Sequence, residues 1–139
     1  MLPFLDTESL LQAYQHWQSG QYNQASGMLL LAEASPQGGQ TVVARGIEAF
    51  LSWTRSIRFP PDEIQKLGAL RGPDGYSLFD ESFLNYLQRF DFQCAVDAVA
   101  EGTSVFPGEP LLKISGPLIQ VELVRTAMLK LIGGLIYAL

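Results

Sequence analysis

Cys94, His16, Ser104 and the carboxylates Glu101 and Glu109 are the side chains whose types invite chemistry, and their spacing denies most of it. The chain holds one cysteine and one histidine, so a metal site built from several Cys or His ligands cannot be assembled. No run of Asp and Glu gathers the oxygens that a hard cation needs. Cys94 alone forms no intramolecular disulfide, which fits a reducing compartment. Ser104 lies in a segment with no histidine to activate it as a nucleophile. Glu101 precedes Gly102, and Glu109 sits between Gly108 and Pro110. Carboxylates among such turn residues satisfy backbone N–H groups rather than move protons.

Charge and hydropathy narrow the partners. The net charge is −5, and the nine Lys and Arg residues are scattered from Arg45 to Lys130, leaving no basic patch for nucleic acid. No positive segment precedes the first apolar residues, and Asp6 and Glu8 break any signal-like run. The apolar stretch 117–139 is interrupted by Glu122, Arg125 and Lys130, short of the roughly 18 uncharged residues of a spanning helix. A cytoplasmic protein with no membrane contact is expected. Its 139 residues suit a single domain over 1–139, large enough to bury about two thirds of its unfolded surface.

The elements that must position these side chains follow from periodicity and turn residues. Asp6 reads as an N-cap, and Leu10, Leu11, Tyr14 and Trp17 share a helical face that Gly20 ends. Residues 28–32 read as a short buried strand, Ser35-Pro36-Gln37-Gly38-Gly39 as a turn, and Thr41-Val42-Val43 as a strand. Gly46 separates that strand from a helix built on Ile47, Phe50, Leu51 and Trp53. Pro60-Pro61 opens a short helix carrying Ile64 and Leu67. Gly72-Pro73-Asp74-Gly75 reads as a mobile loop, and Asp80 caps a helix with Phe83, Leu84, Leu87 and Phe90 on one face. The aromatic set Phe83, Tyr86, Phe90 and Phe92 reads as core rather than as a ligand cage. In 101–118, EGTSVFPGEPLLKISGPL, apolar runs alternate with turns, and with 95–99 before it this predicts a compact β-ribbon. The pattern over 117–139 predicts a long helix. Its polar stripe holds Glu122, Arg125, Thr126 and Lys130, and nearly everything else is apolar. Such a helix is either the centre of the core or a surface that meets another subunit or domain. The class is α+β, helices with a small hammerhead-like ribbon and a long apolar C-terminal helix.

The segment 101–112 closely resembles the E-G-T-x-V-F-P-x-E-P-L-L block that closes the N-terminal domain of nicotinate phosphoribosyltransferases. Phe83-Leu84-Asn85-Tyr86-Leu87 with Phe90 and Phe92 resembles the family's F-L-x-Y-L-x-x-F-x-F segment. Ala13-Tyr14, Ser19-Gly20, Pro36 with Gly38-Gly39, and Gly46-Ile47-Glu48 to Leu51 fall in matching order. The resemblance implies a two-domain enzyme of NAD biosynthesis, which joins nicotinate to phosphoribosyl pyrophosphate. Phosphoribosyl pyrophosphate, ATP and Mg are then expected on an α/β barrel beginning about where this chain stops, with the coupling phosphohistidine on that barrel. His16, on the first helix, is not that histidine.

Site residues carry over unevenly. The family's early T-D-x-Y segment enters a neighbouring subunit's site, its tyrosine stacking on the pyridine ring and its aspartate orienting it. Asp6 falls on that aspartate, a candidate substrate-binding residue, but Leu5 stands at the threonine and Glu8 at the tyrosine. Glu33 stands where the family has an arginine that favours polyphosphate, and Gln37 at the phenylalanine of N-P-F-G-G. The family's E-T becomes Arg125-Thr126, and the asparagines that follow fall on Lys130 and Gly133. Scaffold positions are kept and contact positions mostly depart, so a truncated or degenerate relative, inactive alone and with no catalytic residue of its own, is expected. Its partner is expected to be a second copy or a separate barrel chain, met through the 117–139 helix. The alternative is a stand-alone oligomerisation or binding module. The ribbon also resembles the hammerhead of biotinyl and lipoyl carriers, but Lys113 lies inside a strand instead of at a hairpin tip.

Overall fold

Asp6 starts the first helix as the pattern predicts, its Oδ1 accepting from the Ser9 amide at 2.8 Å to cap α1 (Thr7–Gln18). The computed structural model describes residues 5–34 and 38–139. Of the turn expected at 35–39, Ser35, Pro36 and Gln37 lie outside the described residues. The chain continues through β1 (Ala25–Leu31), β2 (Val42–Val43), α2 (Ile47–Ser56), α3 (Pro61–Gly68), α4 (Glu81–Gln88), β3 (Ala95–Ala98), β4 (Ser104–Val105), β5 (Pro110–Pro117), α5 (Leu118–Leu131) and β6 (Leu135–Ala138). Asp80 caps α4 by accepting from the Phe83 amide at 2.8 Å. The loop expected to be mobile at 72–75 is hydrogen-bonded, with the Gly72 amide donating to the Tyr76 carbonyl and the Tyr76 amide to Asp74 Oδ1.

The α+β class holds, while the compact ribbon is divided between two sheets. One sheet runs β3-β5-β1-β6, every neighbour antiparallel, and β2 pairs with β4 in a separate two-stranded sheet. β5 takes β1 as its long partner, Met28 opposite Ile114 and Leu30 opposite Leu112. All four of these residues are buried. They lie on the face that α5 crosses, and α1 and α2 pack on α5 from beyond.

One expectation about the C-terminal segment is corrected. The helix does not run over 117–139: it stops at Leu131, and Gly133 and Gly134 hold φ of 84° and 100°. Left-handed backbone of that kind ends a helix and turns the chain, here back along β1 as β6. Of the two readings open for this helix, core centre or contact surface, its burial follows the first. Ile119, Val121, Leu123, Val124, Ala127 and Met128 are buried by this chain's own elements, so α5 is the central core helix. At about 1.5–3 kcal/mol for each large apolar side chain, that face is a principal source of stability. Of the polar stripe, Arg125 and Lys130 are exposed, Glu122 is half-buried, and Thr126 is half-buried where α1 crosses α5.

The EGTSVFPGEP segment fastens the ends of two other elements. The Ala32 amide donates to the Glu109 carbonyl and the Gly108 amide to the Ala32 carbonyl, each at 2.8 Å. The Ala44 amide donates to the Thr103 carbonyl, and Glu109 Oε1 accepts from the Phe106 amide at 2.8 Å. Glu101 reaches further, its carboxylate accepting from the Gly46 amide at 3.1 Å and the Glu48 amide at 3.0 Å. It thus supplies the N-terminal cap that Gly46 lacks a side chain to provide, with its negative charge at the positive end of the α2 dipole.

Those bonds, chiefly the one from Glu48, hold the Glu101 carboxyl below the ordinary glutamate range. A carboxylate depressed in the folded state stabilises it above the unfolded value and loses that contribution as pH falls through the folded value. Glu101→Gln is therefore expected to lower the melting temperature at neutral pH and to flatten its decline on acidification. Parallel acid limbs for the two proteins in a melting series would remove Glu101 from the cap.

Candidate functional site

At the N-terminal end of α1, Asp6, Glu8, Ser9 and Gln12 face Arg125, Thr126 and Leu129 of α5 across a cavity of about 230 Å³. The two helices are locked at this point by a 2.9 Å hydrogen bond between the Ser9 and Thr126 hydroxyls, with Ser9 4% exposed. The capping bond from the Ser9 amide, first, and the Ser9 hydroxyl, next, hold the Asp6 carboxyl below its usual range, with a smaller contribution from Lys130. The same contacts that cap α1 thereby favour the ionised form of Asp6.

The structure therefore brings together two pairs of residues that the sequence places far apart. Asp6 and Glu8 stand at the family's aspartate and tyrosine positions, Arg125 and Thr126 at its E-T. Among the described residues the lining contains no aromatic ring, and Glu8 stands where the family has its stacking tyrosine. The described lining is a polar dish with carboxylates on one wall and a guanidinium on the other, able to accept and donate hydrogen bonds. Lys130 is exposed one turn beyond, Gly133 is in the turn after α5, and Glu33 is exposed after β1. Gln37 lies outside the described residues. Ser104 is exposed on β4, far in sequence from the half-buried His16 of α1. Among the described residues, no group of three or more His, Cys, Asp or Glu is placed to hold a metal ion. No described helix is long and apolar enough to cross a membrane. Lys113 is on β5 opposite Asp97 and Leu29, which leaves no carrier-type hairpin lysine there.

One structural residue escaped the sequence reading. Gln120, 5% exposed on α5, accepts from the Gln93 amide at 2.8 Å and donates to the Asp91 carbonyl at 2.9 Å. It also lies within reach of the Tyr86 hydroxyl and the Cys94 thiol. A lone amide among the apolar residues that open α5 was the signal available. Burial pushes the Cys94 thiol up to about 12, so Cys94 is a packed apolar group rather than a nucleophile. Of the aromatic set, Phe83 and Phe90 are core, whereas Tyr86 and Phe92 are half-buried against it.

An antiparallel sheet packed on one central helix, with a stapling EGTSVFPGEP segment, is the arrangement to compare with known proteins. The sequence pattern of the nicotinate phosphoribosyltransferase (NAPRTase) N-terminal domain matches residues 6–133, and the chain belongs to that family. Human nicotinate phosphoribosyltransferase is 31% identical over 129 residues, covering 92% of this chain and 23% of the relative. Nicotinate phosphoribosyltransferase 1 of Arabidopsis thaliana is 30% identical, over 92% of this chain and 22% of its own length. The crystal structure of human nicotinic acid phosphoribosyltransferase superimposes with a TM-score of 0.78 at 31% identity, over 91% of this chain and 25% of that one. The chain thus spans about a quarter of the length of the relatives it matches, and corresponds to their N-terminal domain. The reading as an unrelated stand-alone module is not favoured.

Proposed function

We propose that this domain is the scaffold half of an NAD-salvage enzyme that converts nicotinate and phosphoribosyl pyrophosphate to nicotinate mononucleotide and pyrophosphate, with ligase-type ATP coupling. The observation that carries the reading is the continuous family match over residues 6–133, with the fold agreement that accompanies it. Phosphoribosyl pyrophosphate, ATP and Mg bind a barrel, and this domain contributes architecture and, through Asp6, orientation of the pyridine ring. Glu8 in place of the stacking tyrosine weakens that second contribution. The domain works in the cytoplasm, where its single half-buried thiol needs no oxidising environment. It associates with a second copy or with a barrel chain through the C-terminal segment, where Leu135, Tyr137 and Leu139 are 54%, 60% and 60% exposed.

The chain spans only about a quarter of its relatives and carries Glu8 and Glu33 at family contact positions, so the 139-residue chain alone is expected to form no nicotinate mononucleotide. The check is a product assay on purified chain supplied with nicotinate, phosphoribosyl pyrophosphate and Mg-ATP. Turnover above the protein-free control would falsify the scaffold reading and assign catalysis to this chain.

A further inference from the structure

At the opposite end of α1, about 18 Å from Asp6 at 1.5 Å per residue, a second cavity of about 550 Å³ opens between Trp17, Tyr22, Tyr86, Arg89, Asp91 and Gln120. We propose that this cleft binds a flat aromatic molecule carrying both an anionic group and an N–H donor, the chemistry shared by aromatic amino acids and amino-purine nucleotides. Its size lies within the roughly 300–1,000 Å³ of small-molecule sites, which pair aromatic walls with a few polar groups.

The walls are aromatic and fixed. Trp17 lies 4.4 Å from Tyr22 and 5.2 Å from Tyr86 between ring centroids, with interplanar angles of 36° and 47°. All three rings are half-buried, supported from behind yet open to a visitor. The Trp17 indole N–H donates to Ser82 Oγ at 3.0 Å, and that hydroxyl donates to the capping Asp80 at 2.8 Å. Gln120 pins the 91–93 loop and the Tyr86 hydroxyl from below. Walls held in this way do not need ordering when a ligand arrives.

The polar groups are present and uncommitted. Arg89 and Asp91 both line the cleft, two residues apart, and are exposed. Among the described residues neither side chain has a hydrogen bond or ion pair, with each other or elsewhere. Opposite charges that line one cleft without pairing suit a ligand that brings both complements. An acidic group meets the guanidinium, an N–H donor meets the carboxylate, and the ring stacks on Trp17 and Tyr86. A plain anion meets repulsion from Asp91, and a neutral ring leaves both charges unanswered.

The test uses the full 139-residue chain, isotope-labelled, titrated separately with L-tryptophan and with AMP. The readouts are the indole N–H resonance of Trp17 and calorimetry. Saturable displacement of that resonance by either probe is expected, and which probe acts separates amino-acid from nucleotide ligands. Arg89→Gln removes an exposed side chain without partners, so its melting temperature should match the parent. It should nonetheless weaken binding about tenfold or more, the loss of one charged hydrogen bond. Two results overturn the proposal: no saturable shift with either probe, or binding that Arg89→Gln leaves unchanged.

Discussion

Gly46→Ala is expected to cost about 2–6 kcal/mol, enough to leave much of the chain unfolded at physiological temperature. Gly46 holds φ at 83°, where a side chain costs about 1–3 kcal/mol. A Cβ there would also overlap the carbonyl of Leu131, the last residue of α5, and overpacking of that kind adds about 1–3 kcal/mol. The neighbours cannot give way cheaply. The Gly46 amide is held by Glu101, and the Gly46 carbonyl accepts from the Phe50 amide at 2.9 Å to begin α2. Ala44, two residues back, exchanges bonds with the 102–103 turn. Gly108→Ala is the control: φ there is 89°, but nothing lies within 4 Å of an added Cβ. It should lose only the left-handed penalty. Urea midpoints of the two variants measure the difference, and equal losses would mean that the contact between the start of α2 and the end of α5 is loose.

Local signals in the sequence were read well where the cause is local. Asp6 and Asp80 cap their helices because a carboxylate three residues before a free amide suffices, whatever surrounds it. The turns at 101–102 and 107–110 are local as well, with Gly102 and Gly108 holding positive φ. The partners of those turns were not legible. That Glu101 caps a helix beginning at Ile47, or that β5 pairs with β1, depends on long-range closure that periodicity does not encode. The end of α5 was misread because the apolar residues after Gly133 fit a helix as well as an edge strand over so short a run. Family resemblance placed Asp6, Glu8 and Arg125-Thr126 among contact positions, and α1 crossing α5 gathers them. The aromatic cleft at the other end of α1 had no such guide: its residues come from separate segments, and Trp17 and Tyr86 are equally well explained as core.

The largest loss is expected from Met128→Lys, and its contrast with Leu135→Lys separates core from surface in the C-terminal segment. Read as one long helix, the sequence sets Met128, Leu131 and Leu135 along a single face, so the two substitutions should behave alike. In the structure Met128 is 0% exposed on α5, Leu131 packs against the core from the edge, and Leu135 is 54% exposed on β6 opposite Leu31. Lysine at 128 loses the packing of a buried methionine, about 2–5 kcal/mol, and places an ammonium where no described partner exists, at several kcal/mol more. The sum rivals the about 5–15 kcal/mol that holds an ordinary domain together, so a chain without a cooperative melt is expected. Lysine at 135 points to water, should shift stability by about 0.5 kcal/mol or less, and blunts an apolar edge strand against pairing. If association uses Leu135, Tyr137 and Leu139, this variant remains folded by circular dichroism while its light-scattering mass falls toward one chain. A folded Met128→Lys protein would contradict the central position of α5. A folded Leu135→Lys protein of unchanged mass would instead move the association surface away from β6, since a charge placed on that exposed strand is incompatible with a dry contact across it.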